Sequence, residues 1–222
     1  MERDERGNSA VVSTSEVNMT PAVQVKKPAR LLAYLCVKRA FDFMVALLAL
    51  MLAGIPMLII GACVWCSTKG PTLLKQERVG QYGRVFIIYK FRTMYYNAPH
   101  DVATTLLENA DSYITPVGRF LRKTSLDELP QLINVLKGEM SLVGFRPVVL
   151  TEKKLNNLRQ NYGVFECKPG ITGLAQIRGR DDISYKEKAR IDAEYAANRS
   201  IKLDLYCLFK TIPFAASQKG AK

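Results

Sequence analysis

An α-rich α+β fold with a membrane anchor near its N-terminal side is what this 222-residue sequence predicts. Three observations predict it. The 26 residues from Phe43 to Thr68 carry no charge. Behind them, segments with helical apolar periodicity alternate with loops dense in glycine, proline and arginine, and one stretch alternates like a strand. The charge is lopsided, with 32 Lys and Arg against 20 Asp and Glu, a net +12. Such a balance points to an anionic partner: nucleic acid, an anionic membrane leaflet or a phosphorylated substrate.

In chain order, residues 1–28 are rich in serine, threonine, asparagine and charge without apolar periodicity, and read as a disordered tail. The anchor is assigned to 29–68. As one straight helix its uncharged run would reach roughly 39 Å, more than the ~30 Å of a hydrocarbon core. The polar stretch before it, and the lack of a small-residue cleavage pattern after it, argue against a secretory signal. Gly54-Ile55-Pro56 lies at the midpoint, where proline kinks or breaks a helix. Each half is then roughly 20 Å long, too short to cross alone. Bases flank both ends, Lys38 and Arg39 before and Lys69 and Lys75 after, so the positive-inside rule gives no direction. From the residues alone, a span and a re-entrant hairpin turned at Pro56 stand equally open. Cys63 and Cys66 form a C-x-x-C in this apolar part, with His100 the only histidine of the chain. Zinc or redox chemistry is not indicated there, and all five cysteines read as reduced, buried small hydrophobes.

Residues 69–216 are assigned to a folded domain, with 217–222 a short tail. In a strand following Gly83, Val85, Ile87, Tyr89 and Phe91 would share one face, and Ile88, Lys90 and Arg92 the other. Two cations on one rigid element could grip phosphate, or form a solvated or lipid-facing edge. A helix is expected around 101–112. The stretch Thr124–Pro147 then sets adjacent acids, Asp127 and Glu128, ahead of an apolar stripe of Leu126, Leu129, Leu132, Ile133 and Leu136. Ser125-Leu126-Asp127-Glu128 has the form of a capping box, yet Pro130 would then fall in the second turn, where it removes a hydrogen bond. With Pro130 at the first helical position, the acids instead precede the helix and face its N-terminus, where anions such as phosphate are favoured. Two loops come next, Leu142–Pro147 and Lys168–Arg180, with the glycines and arginines that suit phosphate but no known nucleotide-loop pattern. A charged helix is expected over 185–198, and an apolar last segment that is core or interfacial.

The motifs K-F-R-T-M (Lys90–Met94), Arg122–Pro147 and K-P-G-I-T-G-L-A-Q-I-R-G-R (Lys168–Arg180) closely resemble the bacterial sugar transferase family, the monotopic phosphoglycosyl transferases, from about Lys38 to Phe214. The resemblance implies the minimal catalytic form, with a re-entrant anchor broken at Pro56 and a catalytic domain with interfacial helices on the cytoplasmic face of the bacterial plasma membrane. It implies transfer of a phosphosugar from a nucleotide diphosphate sugar, commonly a UDP-sugar, to a polyprenol phosphate such as undecaprenyl phosphate, with release of UMP, initiating glycoconjugate or exopolysaccharide assembly. Asp127 would be the nucleophile that forms a covalent aspartyl-phosphosugar, with Glu128 beside it, and both would stand at a Mg²⁺ site. Arg122 and Arg146 are the first candidates for gripping phosphate, followed by Lys90, Arg92 and Arg178. The chain departs from the family pattern at Phe145, where proline is usual, and at Gly54-Ile55-Pro56, where serine often precedes the proline. The competing expectation is a non-enzymatic basic membrane scaffold. A nucleic-acid reading explains the charge but leaves the apolar segment idle.

Overall fold

The computed structural model describes residues 29–68, 70–98, 110–179 and 183–216. The expected tails and most of the helix expected at 101–112 lie outside these residues. Its described end, Ala110–Tyr113, is a 3-10 turn.

Helix α1 runs from Ala29 to Ser67, with Pro56 inside it. The helix continues through Pro56, so the expected break does not end the element; an apolar helix tolerates the one missing rung. Its two ends pack against the same folded unit. Asp42 and Ala46 are buried near the start, and Val64 is buried near the end against Phe91 and Leu121. Between them the helix is bare: Leu52, Ile55 and Leu58 are 73%, 73% and 75% exposed. An apolar surface of this size marks a surface for lipid or a partner. Cys36, Cys63 and Cys66 are free and exposed on α1, whereas Cys167 and Cys207 are free and buried. The expected burial of all five therefore fails for those on the anchor, where the apolar face has no protein to cover it.

Strands β1 (Leu73–Val79) and β2 (Val85–Phe91) form an antiparallel hairpin with Leu73 opposite Phe91 and Val79 opposite Val85. The alternation of β2 holds, but its inward face is not the one its apolar count suggests. Ile88 is buried and Lys90 points into the site described below, while Val85 and Ile87 are exposed. Phe91 alone of that outward set is covered, by the end of α1 and by α2. Arg92 falls past the strand end.

Helix α2 (Pro116–Thr124) begins as its sequence dictates. Thr115 accepts a hydrogen bond from the Gly118 amide at 2.8 Å, and Pro116 occupies a first-turn position whose amide needs no partner. Ser125 ends it in the left-handed conformation, its amide bonded back to Arg122. Helix α3 (Gln131–Lys137) ends at Gly138, at φ 82°, and Arg39 of α1 donates to the last carbonyls, Val135 and Leu136, at 2.6 and 2.8 Å. Cations at a helix C-terminus also suit its dipole. Buried Asn134 ties α3 to β2, accepting from the Tyr89 amide and donating to the Ile87 carbonyl.

The second sheet is a parallel pair, β3 (Ser141–Val143) and β4 (Gly170–Thr172), joined through α4 (Lys153–Asn161). The glycines beside it let two backbones come into contact. A Cβ on Gly144 would stand 2.2 Å from the Lys168 carbonyl oxygen, and one on Gly170 2.1 Å from the Gly144 nitrogen. Helices α5 (Leu174–Arg178), α6 (Tyr185–Asn198) and α7 (Ile201–Ala216) complete the unit, around a core that includes Val135, Met140, Val143, Phe145, Val164 and Leu174. The charged helix expected at 185–198 is α6.

Helix α1 is fastened to this core by polar groups as well as by packing. Asp204 on α7 accepts from Tyr34 (2.8 Å), Lys38 (2.9 Å) and Tyr195 (2.6 Å). Asp42 accepts from the Ser141 hydroxyl (2.7 Å) and the Leu142 amide (3.2 Å). The described residues are thus helix-rich, with two small sheets and one long apolar helix.

Candidate active site

The Ser125 left-handed turn throws the chain into a 3-10 turn, Leu126–Glu128, between α2 and α3. The Ser125 side chain makes no capping bond and Pro130 occupies the cap position of α3. The capping box therefore does not form, and both acids stand ahead of the helix.

Glu128 is saturated with cations. Lys90 donates to Oε1 at 2.8 Å, and Arg146 donates to Oε1 at 2.8 Å and to Oε2 at 3.4 Å. Burial pushes this carboxyl up, but Arg146 and Lys90 together overcome it and hold it well below the usual carboxylate range. Burial in turn pulls the Lys90 ammonium below its ordinary value, against the pull of Glu128. Asp127 has the reverse balance. Burial raises its carboxyl above the ordinary 3.8, and Lys90, Arg146 and Arg122 only partly offset it while the Glu128 charge adds to it. Adjacent acids are thus pushed apart, one firmly ionised and one poised higher, a pattern associated with divided chemical roles.

Arg122 comes from the last turn of α2. Its Nε donates to the Thr93 hydroxyl at 2.9 Å, and Thr93 is itself pinned to α2, its carbonyl accepting from the Thr115 amide at 3.0 Å. Arg122 thereby faces Asp127 closely enough to act on its charge. Arg78 of β1 was not anticipated as a site residue. It donates to the Pro147 carbonyl at 3.3 Å, and burial with Arg146 alongside brings its guanidinium down to about 10. Its Nε is buried with no hydrogen-bond partner. Two guanidinium groups side by side repel, and a bound anion would relieve that repulsion.

The site thus unites Asp127, Glu128, Lys90, Arg122 and Arg146. The other two expected cations lie elsewhere. Arg92 is buried at the far end of α1, where it donates to the Thr68 carbonyl at 2.8 Å and to the Thr68 hydroxyl, with Tyr96 beneath it. Arg178 is engaged by Glu194 of α6 at 2.6 and 2.8 Å on an exposed surface. Phe145 is buried, meeting Phe165 edge-on at 5.5 Å.

Among the described residues no three acidic, histidine or cysteine side chains cluster for a metal ion. The donor set suits Mg²⁺ as an ion brought by phosphates, which needs only one or two carboxylates from the protein. Asp127 would be the carboxylate to hold such an ion; Glu128 stands beside it with both oxygens already bonded to cations.

A carboxylate pair among cations, set beside a bare apolar helix, suits a membrane-associated protein that handles anions. The chain belongs to the bacterial sugar transferase family, whose model matches residues 33–218. It is 39% identical over 198 residues to the exopolysaccharide production protein ExoY of Sinorhizobium fredii, covering 83% of this chain and 87% of that one. It is 40% identical over 202 residues to the undecaprenyl-phosphate galactose phosphotransferase of Salmonella typhimurium, covering 83% and 41%. Over 206 residues it is 39% identical to the UDP-glucose:undecaprenyl-phosphate glucose-1-phosphate transferase of Klebsiella pneumoniae, covering 90% and 44%. The protein is an enzyme of the transferase class, and the scaffold reading falls away.

Proposed function

We propose that this enzyme moves a sugar phosphate from a UDP-sugar to undecaprenyl phosphate, through an aspartyl intermediate on Asp127, at the start of exopolysaccharide or glycoconjugate assembly. The observation that carries the reading is the division within the dyad: Glu128 is neutralised by Lys90 and Arg146, while no hydrogen bond among the described residues engages the Asp127 carboxylate. In the first step an Asp127 oxygen attacks the sugar-bearing phosphorus, the bond from that phosphorus to the bridging oxygen breaks, and UMP departs with the electron pair. In the second, an oxygen of the lipid phosphate attacks the same phosphorus and frees Asp127, giving a lipid diphosphosugar. Covalent catalysis divides one hard transfer into two easier ones. Arg122 and Arg146 offset the charge of the approaching phosphates, and Lys90 keeps Glu128 from repelling them. Mg²⁺, when bound, would supply further neutralisation of the pyrophosphate at Asp127.

For the membrane, the reading is a re-entrant α1 with the catalytic unit on the cytoplasmic face. It is supported by the packing of both ends of α1 on one unit and by the bare apolar middle around Pro56. Tags placed before Lys38 and after Lys69 are then both cytoplasmic; opposite sides would make α1 a span. The chemistry is tested by UMP release from a panel of UDP-sugars with undecaprenyl phosphate and Mg²⁺ in detergent. One active donor, with matching phosphosugar on the lipid, establishes the reaction. Silence across the panel from folded protein contradicts it.

A further inference from the structure

Arg159 on α4 is fully buried, and the chemistry above gives it no part. Its Nε and Nη2 both donate to Oδ2 of Asp192 on α6, at 2.9 and 2.6 Å. Its guanidinium lies over the Phe145 ring, 5.1 Å from the centroid. The remaining arm is turned elsewhere: Nη1 donates to the backbone carbonyl of Arg146 at 2.9 Å. The guanidinium is planar and rigid, so fixing two nitrogens on Asp192 also fixes the direction of the third. On the other side of the 146–147 peptide, Arg78 donates to the Pro147 carbonyl at 3.3 Å. The carbonyl of that peptide and the carbonyl of the next are therefore each held by an arginine, and a backbone rotation that swung the Arg146 side chain away from Glu128 would break one of these bonds.

We propose that Arg159, oriented by Asp192 and seated on Phe145, is a positioning residue that fixes the Arg146 backbone and so aims the Arg146 guanidinium at Glu128 and the substrate phosphate. The proposal rests on the transferase reading for its kinetic consequence, but its structural consequence can be read without turnover.

Removing Arg159 alone would strand the Asp192 charge in the interior. The informative variant is Arg159→Met with Asp192→Leu, because apolar replacement of a whole buried ion pair is often well tolerated. With the active donor, this pair variant is expected to lose roughly tenfold to a hundredfold in kcat/KM, the scale of a small misplacement of a reacting group. Its melting temperature stays near that of the wild type. Because Arg159 acts through Arg146, adding the pair to Arg146→Met costs nothing further. Losses that multiply, or wild-type kinetics in the pair variant, overturn the proposal. Hydrogen exchange across residues 144–149 gives the second reading: it quickens in the pair variant, and unchanged protection overturns the proposal whether or not any donor turns over. If the pair variant does not fold, Arg159→Lys takes its place, since lysine keeps the charge but not the rigid fork, and the same outcomes apply. A wild type silent on every donor would sink the transferase reading instead.

Discussion

Two clusters of buried charge invite comparison. Around Asp204 and Asp42, every acid is answered: Tyr34, Lys38 and Tyr195 serve one, Ser141 and the Leu142 amide serve the other. Around the dyad the charges do not balance. Glu128 takes up Lys90 and Arg146, yet Arg122 and Arg78 add two more cations, Arg78 keeps a buried unpaired Nε, and no hydrogen bond among the described residues engages the Asp127 carboxylate. A cluster whose donors and acceptors are matched holds a helix in place. One left with cationic excess favours an anion.

That contrast can be broken most sharply at Asp127. Asp127→Asn is expected to cost roughly 10³-fold or more in transfer, the scale of losing a covalent nucleophile, with folding and membrane attachment unchanged. Retained activity would place the chemistry elsewhere. The matched cluster should behave oppositely. Asp204→Asn leaves Lys38 without its close partner and should cost about 3 kcal/mol of stability, as breaking a buried pair does. Turnover per folded molecule should hold; thermal melts and normalised rates together decide. Loss of rate without loss of stability would erase the distinction.

The pH dependence separates the two acids next. Asp127 must be ionised to attack, and its carboxyl lies above the ordinary 3.8, so the acid limb of kcat/KM is set by that raised value. Arg122→Met removes a group that lowers it, and the limb moves to higher pH; a limb that stays put or moves down contradicts the assignment. In stability the signs differ. Glu128, held below its ordinary 4.5, contributes stability above that pH that is lost as pH falls toward its folded value. Asp127, raised, lowers stability as pH climbs from 3.8 through its folded value. The smallest effect belongs to Arg178, whose pair with Glu194 is 44% and 39% exposed. Arg178→Ala should cost under about 1 kcal/mol, and little activity; a large kinetic loss would return Arg178 to the site.

How much of this was legible in the sequence is clearest from one pattern that occurs twice. Ser125-x-x-Glu128 and Ser184-x-x-Glu187 have the same form, and only the second caps a helix, Ser184 accepting from the Glu187 amide at 3.2 Å. The difference lies in the residues downstream: Pro130 denies the first a regular second turn, whereas α6 continues unbroken. Local chemistry thus carried α6, while the place of the two acids ahead of α3 was one of two readings it allowed. The inward face of β2 was not readable, because Lys90 turns inward for Glu128, 38 residues away. Arg78 and Arg159 gave no local signal either, since their partners lie 69 and 13 residues away. The glycines at 144 and 170 suit close approach in the sequence, and the approach the structure shows is between two backbones. Side-chain types suggested the chemistry; long-range contacts decided which arginines stand beside the acid pair.

The most direct test of the central claim is the mass of the intact protein after incubation with its UDP-sugar and Mg²⁺, without lipid phosphate. A covalent mechanism predicts an added sugar phosphate on the peptide bearing Asp127, absent in Asp127→Asn and discharged when undecaprenyl phosphate is supplied. UMP release that always requires the lipid phosphate, with no adduct on Asp127 at any time, would contradict it.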